Sequence, residues 1–106
     1  MRIVAMISVV TVALGTPVAA EPFPEQCYKE LMLVTLGVIE DRCPVMKLTF
    51  AGHQQKVYLG KSPSPACLSA AQSKASRDAE DLQGFWCTFS KRMLNLGRTE
   101  PYVEDR

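Results

Sequence analysis

The chain is 106 residues long, 47% apolar and 22% charged, with 12 basic and 11 acidic side chains. Of those charges only Arg2 lies in the first twenty residues, so residues 21–106 balance at zero, which removes the electrostatic basis for binding nucleic acid or an anionic membrane. A chain of this length makes one domain whose core is only just large enough to stand alone, the size at which exported proteins add covalent staples.

Met1-Arg2 is followed by an uncharged run from Ile3 to Gly15 in which only Ser8 and Thr11 are polar. Coiled as a helix, that run spans about 20 Å, short of the roughly 30 Å hydrocarbon layer a membrane anchor must cross. Thr16-Pro17 then breaks the helix, and Val18-Ala19-Ala20 places small residues where a signal peptidase cuts. The pattern predicts a cleaved signal peptide over 1–20 and a single domain over 21–106. The first cysteine is Cys27, so no lipid is attached at the cut. The style of the cleavage site points to a bacterial periplasm.

Glu21-Pro22-Phe23-Pro24 reads as an extended lead-in, since proline lacks a donor and biases its predecessor away from helix. From Glu25 to about Asp41, Tyr28, Leu31, Met32, Thr35, Val38 and Ile39 recur at three- and four-residue spacing, which predicts an amphipathic helix. Glu25 and Glu30 near its start and Arg42 at its end suit the helix dipole, and Cys43-Pro44 stops it.

Residues 45–60 admit two readings. Val45–Phe50 and Lys56–Leu59 could pair as a hairpin around Ala51-Gly52-His53. Alternatively Thr49 caps a short helix from Phe50 to about Leu59, stopped by Gly60. The helix is the favoured reading.

Ser64-Pro65 matches an N-cap followed by proline in the first turn, and predicts a long helix. Cys67, Ala71, Ala75, Ala79, Leu82, Trp86, Phe89 and Met93 trace one face of it, with Lys74, Arg77, Asp78, Glu80 and Asp81 turned mostly to water. Gly84 marks a candidate kink. The polar tail from about Gly97, which contains Pro101, is expected to fray. The expected fold is all-α, a small disulfide-stapled bundle of two main helices with a short third between them.

The four cysteines, Cys27, Cys43, Cys67 and Cys87, are widely spread, which favours two disulfides over a zinc site or a redox pair, both of which use closely spaced cysteines. If the helices form, Cys27 and Cys43 lie about 24 Å apart and Cys67 and Cys87 about 30 Å apart, too far for the ~7 Å limit of a bridge. Two connectivities remain. The nested one, Cys27 to Cys87 with Cys43 to Cys67, suits an antiparallel helical hairpin and is preferred. The crossed one, Cys27 to Cys67 with Cys43 to Cys87, requires parallel outer helices. On an unbroken helix Cys87 falls roughly 140° from the apolar face, so the helix must be broken or a second strip must be covered.

Residues with the pattern of a catalytic centre are not evident. His53 is the sole histidine, no serine sits in a G-x-S-x-G elbow, and Glu40-Asp41 and the Asp78, Glu80, Asp81 cluster have basic neighbours at ion-pair spacing. Neither a cofactor nor a metal is implied. The group most open to function is Phe85, Trp86 and Phe89 with Lys91 and Arg92. As core, the favoured reading for its apolar members and Met93, it would pack on Tyr28, Leu31, Met32 and Val38. As surface or cavity lining it would form a binding face. The expectation is a non-enzymatic interaction protein whose partner is another protein, with a carrier of a small apolar ligand as the alternative.

Overall fold

Side-chain caps set where two of the helices of this computed structural model begin. It describes residues 23–106; the expected signal segment 1–20 and its cleavage site lie outside the described residues. After a short 3-10 turn at Glu25–Cys27, α1 spans Tyr28–Arg42, α2 Phe50–Leu59, α3 Pro65–Leu82 and α4 Trp86–Asn95. The Thr49 hydroxyl accepts the Gly52 N–H at 3.0 Å to start α2, and the Ser64 hydroxyl accepts the Cys67 N–H at 3.3 Å to start α3. The helical reading of residues 50–59 therefore holds. Val45–Phe50 is also partly extended, as β1 at Met46–Leu48, but its partner is not Lys56–Leu59.

Its partner is the segment expected to fray. Residues Val103–Asp105 form β2, antiparallel to β1, with Met46 opposite Asp105 and Leu48 opposite Val103. Gly97 adopts φ 73°, the left-handed conformation open to glycine, which turns the chain from the end of α4 toward this strand. Val103 is only 1% exposed and Tyr102 is buried too. A two-stranded ribbon is marginal alone, so burial of these side chains, about 1.5–3 kcal/mol for a valine, holds the tail down. The Asn95 side chain completes the attachment, accepting the Tyr102 and Val103 N–H groups at 2.9 and 3.2 Å and donating to the Val103 carbonyl at 2.8 Å. Gly52 is required by the same strap: a Cβ there would run into the Tyr102 carbonyl.

The disulfides are crossed, a correction to the nested pairing. Cys27 bonds Cys67 and Cys43 bonds Cys87, with Cα separations of 5.0 and 5.9 Å. The first bridge joins the starts of α1 and α3 and the second joins the end of α1 to the first turn of α4, just past the end of α3, so α1 and α3 run parallel. The physical reason lies in the middle segment. As a helix of about 15 Å, α2 carries the chain back along α1, and α3 starts again beside the first turn of α1. That return is fastened twice, by Lys29 Nζ donating to the Ser62 carbonyl at 3.1 Å and by the Ser64 N–H donating to Glu30 Oε2 at 2.8 Å. Ala71 and Ala75 are buried on the α3 side, where small side chains allow close approach to α1.

Helix α3 does not continue into α4. The chain breaks over Gln83–Phe85, and the left-handed residue is Gln83, at φ 48°, rather than the neighbouring Gly84. The break re-aims α4, which brings Cys87 to Cys43 and resolves the angular misfit of an unbroken helix. Trp86, Ser90 and Leu94 now point inward, and Trp86 and Leu94 join Leu36, Ile39, Met46, Leu48, Leu59, Tyr102 and Val103 in the core.

Candidate functional site

The two apolar stripes read from the sequence meet, but they do not close. On α1, Tyr28, Leu31, Met32 and Thr35 occupy positions i, i+3, i+4 and i+7; on α4, Trp86, Phe89, Ser90 and Met93 repeat that spacing. They form walls of a groove of about 440 Å³, with Lys74, Ala75 and Asp78 of α3 contributing to its lining. Core residues sit elsewhere: Leu36 and Ile39, on another face of α1, are the fully buried ones, while Tyr28 is exposed and Leu31 and Met32 are half-buried.

The five residues proposed as a binding face divide according to what they touch. Trp86 is 5% exposed and lines the groove. Phe89 at 47% and Met93 at 53% are its open edge on α4, and Phe85 at 76% continues the exposed stripe beyond the groove, into the helix break. Lys91 faces the strap: its Nζ lies 2.9 Å from Asp105 Oδ1 and fastens α4 to β2. Arg92 is exposed and carries no ion pair or side-chain hydrogen bond among the described residues. Arg92 and Lys91 lie with Thr88, Asn95 and Gly97 on another side of α4, so the exposed edge of the groove on this helix is apolar.

Charges at the groove itself cancel, since Lys74 Nζ lies 3.0 Å from Asp78 Oδ2. At the end where α1 begins, the Phe23 ring stacks on Tyr28 with centroids 6.2 Å apart, extending the aromatic surface toward the start of the described chain.

Sequence reasoning missed Glu30. The sequence places it near the start of the first helix, where it suits the dipole; in the structure it is buried at 2% exposure, one turn after Cys27 of the Cys27–Cys67 bridge. Oε2 accepts the Ser64 N–H, and Lys29 Nζ stands 3.9 Å away, whereas Oε1 is buried without a protein partner. The Ser64 N–H is the main cause holding the Glu30 carboxyl below its ordinary range, against desolvation, which raises it. Its position three residues after Cys27, on the side that meets α3, was the available signal.

The other chemistry-bearing side chains are scattered. His53 is on the outer face of α2 with Nδ1 3.8 Å from Glu40 Oε2, and Lys56 pairs with the other oxygen of Glu40. Glu80, Asp81 and Asp41 are exposed. Among the described residues there is no group of three His, Cys, Asp or Glu side chains placed to hold a metal ion, and no cysteine is free. No described helix is long and apolar enough to cross a membrane. Comparison with protein-family models, with curated proteins and with solved structures finds no match for this chain.

Proposed function

We propose that this is an exported, non-enzymatic binding protein of the bacterial periplasm that engages another protein through the groove between α1 and α4. The observation that carries the reading is the groove itself: two facing helical stripes, Trp86 recessed between them, and Phe89 and Met93 left open at the edge. Small domains normally close such stripes on each other. Here both disulfides tie α1 to the α3–α4 arm, and the stripes still leave a groove without a filler from the described chain. Methionine and aromatic linings adapt to apolar partners at small entropic cost. The signal-like first twenty residues and the two closed disulfides support an oxidising compartment.

A second reading, a carrier for a small apolar ligand, is favoured by the groove volume, which falls within the ~300–1,000 Å³ of small-molecule sites. A photo-crosslinking amino acid at Phe89 or Met93, expressed in the native compartment, separates the two. Under the first reading, illumination yields a discrete polypeptide adduct that is lost when the crosslinker is moved to Gln54 on α2. Under the second it yields a small-molecule mass adduct. Adducts equal at Phe89 and Gln54 would refute a role for the groove.

A further inference from the structure

Resting on that protein-binding reading, we infer that the protein engaged by the groove is a second copy of this chain, packed α4 against α4 about a two-fold axis near Phe89. The face carries a ridge as well as a recess. Phe85, Phe89 and Met93 follow one another at one-turn spacing along the open edge and are 76, 47 and 53% exposed, while Trp86 is recessed beside them in the groove. A two-fold interface requires one patch to complement itself, and a patch with both ridge and recess meets that requirement. Antiparallel α4 helices lying side by side seat each ridge in the other copy's recess, with Phe89 next to its own copy and Phe85 level with the partner's Met93. Aromatic rings and thioethers pack well against each other.

Charge and area both suit this occupant. The charged side chains that line the groove are Lys74 and Asp78, which pair with each other at 3.0 Å, and Lys91 and Arg92 lie on another side of α4. Two copies therefore meet without the like-charge opposition that makes a contact costly. At about 150–250 Å² for each large side chain, Tyr28, Phe85, Phe89 and Met93 leave roughly 450 Å² open. The half-buried Phe23, Leu31, Met32 and Thr35 bring the face to about 600 Å² per copy, the lower end of stable protein–protein contacts. A small apolar ligand would fill the recess and leave Phe85, which lies outside it, bare. A flat bilayer would cover Phe85 and leave the recess empty. The other bare apolar face, Phe50, Val57 and Tyr58 of α2, would make a heterologous contact if it entered the groove, and such contacts repeat into open-ended chains unless they close as rings.

Sedimentation equilibrium of the exported chain, with its disulfides closed, tests the inference from about 1 to 300 μM, the range in which an interface this small is expected to associate. A monomer–dimer equilibrium is expected. Trp86 is the only tryptophan, and its emission should move to the blue in step with the dimer. Phe85→Glu and Phe89→Glu, each checked for an unchanged melt, should weaken association at least about tenfold, and Gln54→Glu on α2 should leave it unchanged. In the wild-type background, a photo-crosslinker at Phe85 should join the Met93–Arg98 tryptic peptide within the dimer band. Growth beyond the dimer, or a dimer untouched by Phe89→Glu, overturns the two-fold pairing. A monomer at every concentration overturns the second-copy inference. The reading beneath it then stands if the crosslinker at Phe89 still captures a discrete polypeptide of different sequence in the native compartment, and falls with it if none is captured.

Discussion

Replacing Asn95 with alanine tests whether the last strand is held by one side chain. Asn95 makes three hydrogen bonds to the strap, two accepted from the Tyr102 and Val103 N–H groups and one donated to the Val103 carbonyl. At about 1 kcal/mol net for each, their loss amounts to about 3 kcal/mol. For a domain of this size, each kcal/mol shifts the melting temperature by about 4–8 °C, so Asn95→Ala should melt roughly 10–25 °C below the parent by circular dichroism. Hydrogen exchange localises the effect: the Thr49 N–H, bonded to the Tyr102 carbonyl at 2.9 Å, should lose protection, while the amides of α1 near Ile39 keep theirs. Asn95→Asp keeps both acceptor bonds and loses the donor, and should fall between. A melt within about 0.5 kcal/mol of the parent, with Thr49 still protected, would show that burial of Val103 holds the strap and that the Asn95 bonds are incidental.

Gly52→Ala should mimic strap release, because the added methyl meets the Tyr102 backbone; a melt equal to the parent would contradict that close approach. Non-reducing peptide mapping should link the Cys27 peptide to the Cys67 peptide and the Cys43 peptide to the Cys87 peptide. With partners 40 and 44 residues apart, each bridge should contribute about 4 kcal/mol through loop closure, so a melt insensitive to reductant would refute that share. Glu30 has a depressed folded pKa, so the stability it contributes is complete above its ordinary value of 4.5 and is lost as pH falls through the lower folded value. The melting temperature of Glu30→Gln should therefore decline less steeply below about pH 4.5 than that of the parent, and parallel acid limbs would show that Glu30 is not linked to folding.

What could be read in advance was local. Thr49 and Ser64 announced two helix starts because a capping oxygen acts within three residues of itself. The alternation of α1 and α4 announced two apolar stripes, and these do face each other. Three features had no local signature. The β1–β2 pairing joins residues about 57 positions apart through strands of three residues, below the length at which alternation is visible. The break at Gln83 falls on a residue with no preference for left-handed backbone, and only the adjoining Gly84 hinted at it. The disulfide choice hinged on the direction in which residues 45–64 carry the chain, a property of the whole segment. For the candidate site, Phe85, Phe89 and Arg92 are exposed, Trp86 belongs to the core and only lines the groove, and the engagement of Lys91 had no local signal because its partner, Asp105, lies in the tail expected to fray.

The crossed bridges also bear on how the protein is made. A chain that enters an oxidising compartment from its N-terminal side presents Cys27 and Cys43 to each other before Cys67 arrives. In a disordered chain the shorter loop closes more readily, by about 0.8 kcal/mol for a loop of roughly 16 residues against one of 40. First-come oxidation thus favours the consecutive pairing, which the finished helix α1 forbids because it holds those two cysteines about 24 Å apart. Every molecule oxidised in order of arrival must exchange both of its bridges before α1 can form from end to end. Maturation of this domain is accordingly a problem of thiol–disulfide exchange, on the scale of seconds to hours without a catalyst, and its yield depends on a compartment that reshuffles disulfides as well as forming them.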